Sequence, residues 1–143
     1  MADYDLIIWN DTLVTGISTI DEQHQILVNL FNEANTKLAG NNNTEFLEQI
    51  TRDMLSYALY HFETEEGLMQ EYGYIEEADN HIRQHRNFSA KVVEIRNNIK
   101  AGILISREDL LSFLNNWLIN HILSTDKELA AFLLASEQYA AGM

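Results

Sequence analysis

Residues 44–72 read TEFLEQITRDMLSYALYHFETEEGLMQEY. In alternating steps of three and four this stretch gives Leu47, Ile50, Met54, Tyr57, His61, Glu65, Leu68 and Tyr72, one inward stripe of a long amphipathic helix. The stripe is apolar except where an imidazole and a carboxylate occupy it one turn apart. Burying such groups without partners costs several kcal/mol each, so their place in a core asks for a reason.

The same pattern extends to both sides. Upstream it gives Ile20, His24, Leu27, Phe31, Ala34 and Leu38; downstream it gives Ala78, His81, His85, Phe88, Val92, Ile95 and Ile99. A last segment gives Leu110, Leu114, Trp117 and His121, after which Thr125 and Asp126 interrupt the stripe before Leu129 and Phe132 resume it. All five His of the chain therefore fall on predicted buried stripes.

Break signals separate these segments: the polar cluster Gly40 to Asn43, Gly73, and Ala101 with Gly102, followed by Ser106 as a candidate N-cap with Asp109 three residues on. With no Pro anywhere, this predicts an all-α chain with helices near 18–38, 44–72, 76–100 and 106–136. Short connections force antiparallel neighbours, hence an up-down-up-down four-helix bundle. Residues 1–17 lack a helical period but hold Trp9 and the apolar run Leu6 to Ile8, which predicts an extended arm packed on the bundle; 137–143 read as a fraying end. The whole chain, 1–143, fits one domain.

Nine Lys plus Arg against twenty-two Asp plus Glu leave a net charge of −13, which repels phosphate backbones and argues against nucleic-acid binding. The absence of Cys removes disulfides, iron–sulfur clusters and thiolate zinc sites, and fits a reducing compartment. The N-terminus lacks the basic start and long apolar stretch of a secretory leader, and the longest apolar run, Leu129 to Ala135, is far short of the ~20 residues of a membrane span. The expected location is cytoplasmic. No heptad seam is left over, which favours a monomer.

Helix rise places the seven polar core groups at one level. Measured from the bundle end where the first helix starts, His24 lies at about 9 Å, His61 and Glu65 at about 16 and 10 Å, His81 and His85 at about 7 and 13 Å, and Asp126 and His121 at about 15 and 22 Å. His61 with Glu65, and His81 with His85, are four apart and stack on one helix face. His121 and Asp126 are five apart, roughly 140° around an α-helix, so the acid would have to reach sideways. A lone HxxxE or HxxxH is mostly coincidence, and a lone His on an apolar stripe is mostly a hydrogen-bonded core residue. Seven such groups converging in one layer from four helices form the geometry that bundle metal sites use. Imidazole suits iron, zinc, copper and nickel alike, so the donors by themselves do not name the metal. The remaining acids Glu63, Glu66, Glu71, Glu76, Glu77 and Asp79 read as a solvated face.

At these residues the chain resembles the hemerythrin family, in particular its single-domain bacterial members. The likeness runs from Trp9 to about Phe132 and rests on Trp9 and Asn10, Gly16 and Ile17, IDEQH at Ile20 to His24, HFETEE at His61 to Glu66, HIRQH at His81 to His85 and HILSTD at His121 to Asp126. The resemblance implies a non-haem di-iron centre that binds one dioxygen reversibly. His81, His85 and His121 would hold one iron and His24 and His61 the other, with Glu65, Asp126 and an oxo or hydroxo group as bridges. Dioxygen would bind the iron with two His, taking two electrons from the irons and a proton from the bridge.

Five neutral imidazoles and two acids give high-valent iron less support than the carboxylate-rich sets of bundle oxidases, which favours carriage over O–O cleavage. Leu27, Phe62, Trp117, Leu118 and Ile122 are the candidates for a dry oxygen pocket. The leading function is oxygen carriage, storage or delivery to an oxygen-consuming or redox partner protein, not catalysis. The alternatives are a di-iron oxidase, peroxidase or nitric-oxide scavenger, an oxygen or iron sensor, and a metal store.

Overall fold

The structure, a computed structural model, describes residues 7–37, 44–103 and 105–136, and of Arg107 the backbone only. Leu38, the Gly40 to Asn43 breaker, Leu6 and the end at 137–143 lie outside the described residues. Four helical rods make the bundle. They are α1 (Ser18–Lys37), α2 (Thr44–Tyr72), α3 (Ala78–Lys100) and a fourth rod built from α4 (Arg107–Asn120), a π-helical turn (His121–Asp126) and α5 (Lys127–Ala135). α1 packs on α2 and α4, and α2 packs on α3, in the antiparallel order that the short connections impose.

The ends follow the break signals. Gly73 and Gly102 adopt φ of 74° and 80°, the left-handed region that releases a chain from a helix. α3 starts at Ala78 rather than 76, because residues after Gly73 first complete a turn in which the Tyr74 amide bonds to the Met69 carbonyl at 2.8 Å. Ser106 caps the fourth rod, its hydroxyl accepting from the Asp109 amide at 2.9 Å.

The arm is tied down. The Ile7 amide donates to Asn32 Oδ1 at 2.8 Å, and Asn32 Nδ2 donates to the Ile7 carbonyl at 2.9 Å. Ile7 and Trp9 pack on the core while Ile8 is 77% exposed. The expected packing of the whole apolar run thus fails at Ile8, since successive side chains of an extended segment point opposite ways. Asp11–Leu13 form a short 3₁₀ turn, so the arm is not extended throughout. The Asp21 carboxylate then accepts from the Thr15 amide and hydroxyl, each at 2.8 Å, and from the Gly16 amide at 3.2 Å. Gly16 sits at φ 94°, and a Cβ there would meet Leu134 at 3.1 Å, so only glycine passes without strain.

The core divides into two apolar clusters. One contains Leu27, Phe31, Phe62, Phe88, Leu114, Leu118 and Ile122; the other contains Ile17, Ile20, Met69, Tyr74, Leu129 and Leu133. Along α1 the two clusters flank His24, along α2 they flank Glu65, and along the fourth rod they flank Asp126. The polar layer is therefore sealed from above and below by dry side chains.

The π turn corrects one expectation. Its i→i+5 bonding puts one extra residue into a single turn, so Asp126 takes the face that the fourth residue after His121 would otherwise hold. No sideways reach is required. Beyond it Leu129 is buried as the stripe predicts, but Phe132 is 36% exposed and Ala130 and Leu133 take the buried positions instead.

Candidate metal centre

The structure brings all seven predicted polar core residues together. His24, His61, Glu65, His81, His85, His121 and Asp126 are all buried, none more than 4% exposed. Their ligand atoms form two groups, each within a 4.8 Å span: Glu65, His81, His85, His121 and Asp126 in one, His24, His61, Glu65 and Asp126 in the other. Both carboxylates belong to both groups.

Asp126 splits its oxygens between the groups. Oδ1 lies 3.0 Å from His81 Nε2 and 2.9 Å from His121 Nε2, while Oδ2 lies 2.7 Å from His24 Nε2 and 3.9 Å from His61 Nε2. Glu65 Oε1 stands 3.2 Å from both His61 Nε2 and His85 Nε2 and 3.5 Å from His81 Nε2. Between His85 Nε2 and His121 Nε2 the separation is 3.2 Å. With metal–nitrogen bonds of about 2.0–2.1 Å, neighbouring donors on one ion fall roughly 3 Å apart, which is the spacing found here.

The orientation of the donors supports the same fit. His24 and His81 have both ring nitrogens, His61 has Nε2, and Glu65 and Asp126 have both oxygens without a satisfied hydrogen bond. These buried atoms approach one another closely without meeting the geometry of a hydrogen bond. In a native core, so many orphaned polar atoms in one place call for a bound ion.

Three imidazoles are fixed from behind. His61 Nδ1–H donates to Gln23 Oε1 at 2.7 Å, His121 Nδ1–H to Gln84 Oε1 at 2.9 Å, and His85 Nδ1–H to the Glu66 carboxylate at 2.9 Å. Gln23 is held by Thr64 at 3.1 Å, and Gln84 also accepts from the Thr125 hydroxyl at 2.8 Å. Each Nε2 lone pair is thereby left pointing inward, the arrangement that orients and strengthens a metal-ligating histidine. Reading Glu66 as part of a solvated face is corrected here, since it reaches from α2 to the α3 imidazole. Hydrophobic spacing does not single out Gln23 and Gln84; the one local signal is the dipeptide Gln-His, repeated at 23–24 and 84–85. One residue before a ligand candidate is about 100° around the helix, which aims each Gln at the next rod's imidazole.

Electrostatics show what the cage demands. Burial pushes the imidazoles toward neutrality, but Glu65 and Asp126 override it, raising His61 to about 10 and His81 to about 9 and raising His121 as well. Burial pushes both acids up, and Asp126 raises Glu65 further, yet the surrounding histidines hold both well below the ordinary carboxylate range. Two buried carboxylates require positive charge beside them, as protons or as metal.

The proposed pocket residues divide. Phe62 stacks on His85 at 3.9 Å and Trp117 on His121 at 4.3 Å, both against the three-imidazole group. Phe62 also lies 6.1 Å from His61. Leu27, Leu118 and Ile122 are buried in the apolar cluster next to the polar layer. Surface clefts reach the outer edges of the three-imidazole group, one lined by Gln84, Trp117 and His121, the other by Phe62, Glu66 and His85. Among the described residues no helix is long and apolar enough to cross a membrane.

Comparisons with known proteins agree with this geometry. Residues 15–133 match the family model of the hemerythrin HHE cation binding domain. The chain is 34% identical over 120 residues to a bacteriohemerythrin of Pseudomonas aeruginosa, covering 84% of this chain and 76% of that one. It is 35% identical over 125 residues to a bacteriohemerythrin of Stenotrophomonas maltophilia, covering 87% and 80%. A myohemerythrin of Theromyzon tessulatum is 28% identical over 118 residues, covering 82% and 86%. A crystal structure of wild-type hemerythrin superposes with a TM-score of 0.83 at 25% identity, covering 92% of this chain and 100% of that one. With its helical bundle and a His, Glu and Asp cluster suited to a metal, the chain belongs to the hemerythrin family.

Proposed function

We infer that this protein binds dioxygen reversibly at a non-haem di-iron centre, as a carrier, store or donor of oxygen. The observation that carries the reading is the division of seven buried donors into groups of three and two imidazoles that share both carboxylates, with Asp126 turning one oxygen to each. Two irons in that cage, with an oxo or hydroxo bridge, would supply the two electrons that reversible oxygen binding needs. His81, His85 and His121 would hold one, His24 and His61 the other, and Glu65 and Asp126 both. The two-imidazole group offers one protein donor fewer, so dioxygen would enter there.

Leu27, Leu118 and Ile122, with the edge of Phe62, would keep water from that side, while Trp117 covers His121. The names of the bacteriohemerythrin and myohemerythrin relatives support an oxygen-binding rather than catalytic role. A cytoplasmic monomer formed by one domain, serving an oxygen-consuming or redox partner, fits the Cys-free acidic chain.

The test is elemental analysis, then absorption spectra of the reduced protein before oxygen, after stoichiometric oxygen, and after purging with inert gas. Two irons per chain and full recovery of the starting spectrum are expected. Irreversible oxidation, or steady turnover with added reductant or peroxide, would replace the carrier by an enzyme. More than two metals per chain would indicate a store.

A further inference from the structure

The three imidazoles held from behind do not have equivalent partners. His61 and His121 donate to the neutral amide oxygens of Gln23 and Gln84, whereas His85 donates to a carboxylate. Glu65 and Glu66 are adjacent on α2 and so point about 100° apart. The first enters the cage; the second crosses to α3 behind His85. The Glu66 side chain is 37% exposed and the His85 side chain 2%, so the pair links a buried ring to a cleft of about 720 Å³ that also contains Glu63 and Arg86.

A hydrogen bond to a carboxylate is roughly twice as strong as one to a neutral amide. It draws the Nδ1 proton outward and makes Nε2 the more basic donor. Phe62, stacked on the same ring at 8° between planes, removes its rotational freedom. Among the described residues nothing comparable stands on the two-imidazole side, where His61 donates to the Gln23 amide oxygen and His24 Nδ1 has no hydrogen-bond partner.

We propose that Glu66 is a positioning residue that acts through His85 to make the three-imidazole metal the more tightly held and electron-richer of the two. The assignment of two metals to this cage rests on the functional reading above; the role of Glu66 is tested with zinc as well as iron, so the two stand or fall separately. Glu66 touches neither metal nor oxygen.

Four proteins decide it: wild type, Glu66→Gln, Glu66→Ala and, as a control on charge alone, Glu63→Gln, whose side chain is exposed in the same cleft. Zinc affinity is measured by chelator competition, and the His85 Nδ1–H signal by NMR of the zinc-loaded proteins. Reduction potentials are measured on the iron-loaded proteins. Glu66→Ala should weaken the tighter zinc site roughly 10- to 100-fold and expose the His85 N–H to solvent exchange. Glu66→Gln, which keeps an acceptor, should recover most of the affinity and the slow exchange, yet leave the iron potential more positive than in wild type. Glu63→Gln should leave all three readouts near wild type.

Unchanged zinc affinity and N–H exchange in Glu66→Ala, with folding intact by circular dichroism, would overturn the proposal. Equal potential shifts in Glu66→Gln and Glu63→Gln would also overturn it, by reducing Glu66 to a bulk charge. A wild-type chain that takes up no iron pair would sink the functional reading while the zinc measurements still judged Glu66.

Discussion

His24 and His61 meet the shared acids from an enclosed part of the bundle, 0% and 1% exposed. His85 and His121, by contrast, stand against aromatic rings and border surface clefts. Donor chemistry is the same on both sides, imidazole plus the oxygens of Glu65 and Asp126. What differs is the number of nitrogens, the partner behind each ring and the route to solvent. A metal with more protein donors, carboxylate backing and rings clamped by π-stacking suits a structural and electronic anchor. One with fewer donors and an apolar surround suits a small neutral ligand such as dioxygen.

The largest effect should come from removing one imidazole on each side in turn. His61→Ala leaves the smaller group a single nitrogen, so elemental analysis should fall from two metals per chain toward one. His85→Ala leaves two nitrogens, and both metals should remain with weakened affinity. Equal losses would erase the distinction between the groups.

Metal removal should reverse the protein's response to pH. In protein stripped by chelation, His61 and His81 are raised from 6.5 to about 10 and about 9. Their stabilising contribution is complete below about pH 6.5 and disappears as pH rises through 9 to 10. Glu65 and Asp126 are lowered from 4.5 and 3.8, so their contribution is complete above those values and disappears as pH falls. The stripped protein should therefore melt highest between about pH 5 and 6.5 and progressively lower toward pH 10. The metal-loaded protein should gain on it over that range, since metal displaces the same protons. A stripped protein whose melting temperature climbs from pH 6.5 to 9 would contradict the charge balance of the cage.

A smaller change is expected at the apolar border. Leu118 is 3% exposed, one turn before Ile122. Leu118→Ala should cost about 2–5 kcal/mol through the cavity it opens. If Leu118 shields the oxygen side, it should also speed autoxidation of the oxygenated form in stopped-flow absorption. Unchanged decay with reduced stability would move the dry pocket elsewhere in the layer.

Much of this was readable from spacing alone. Alternating steps of three and four assigned all five His and Glu65 to inward faces because helix period depends on backbone geometry that every residue shares. Asp126 was legible as a polar core residue, but its alignment with His121 was not, since a π turn has no reliable local sequence signal. Phe132 is exposed because the step inward from Leu129 is four residues, to Leu133, and a pattern that allows steps of three or four does not choose between them. Glu66 could not be separated from Glu63 or Glu71 as a charge on the helix exterior, because its partner belongs to another rod.

Composition and periodicity by themselves determined an acidic, Cys-free helical bundle with imidazoles and acids at one level of its core. The grouping of the donors followed from the family resemblance and not from spacing; tertiary structure alone decided how Asp126 divides its oxygens and which ring receives a carboxylate behind it. Period is a property of a single helix, whereas these contacts depend on the rotation and height of four rods packed together. A few degrees or one inserted residue changes which atoms meet, while the hydrophobic pattern stays the same.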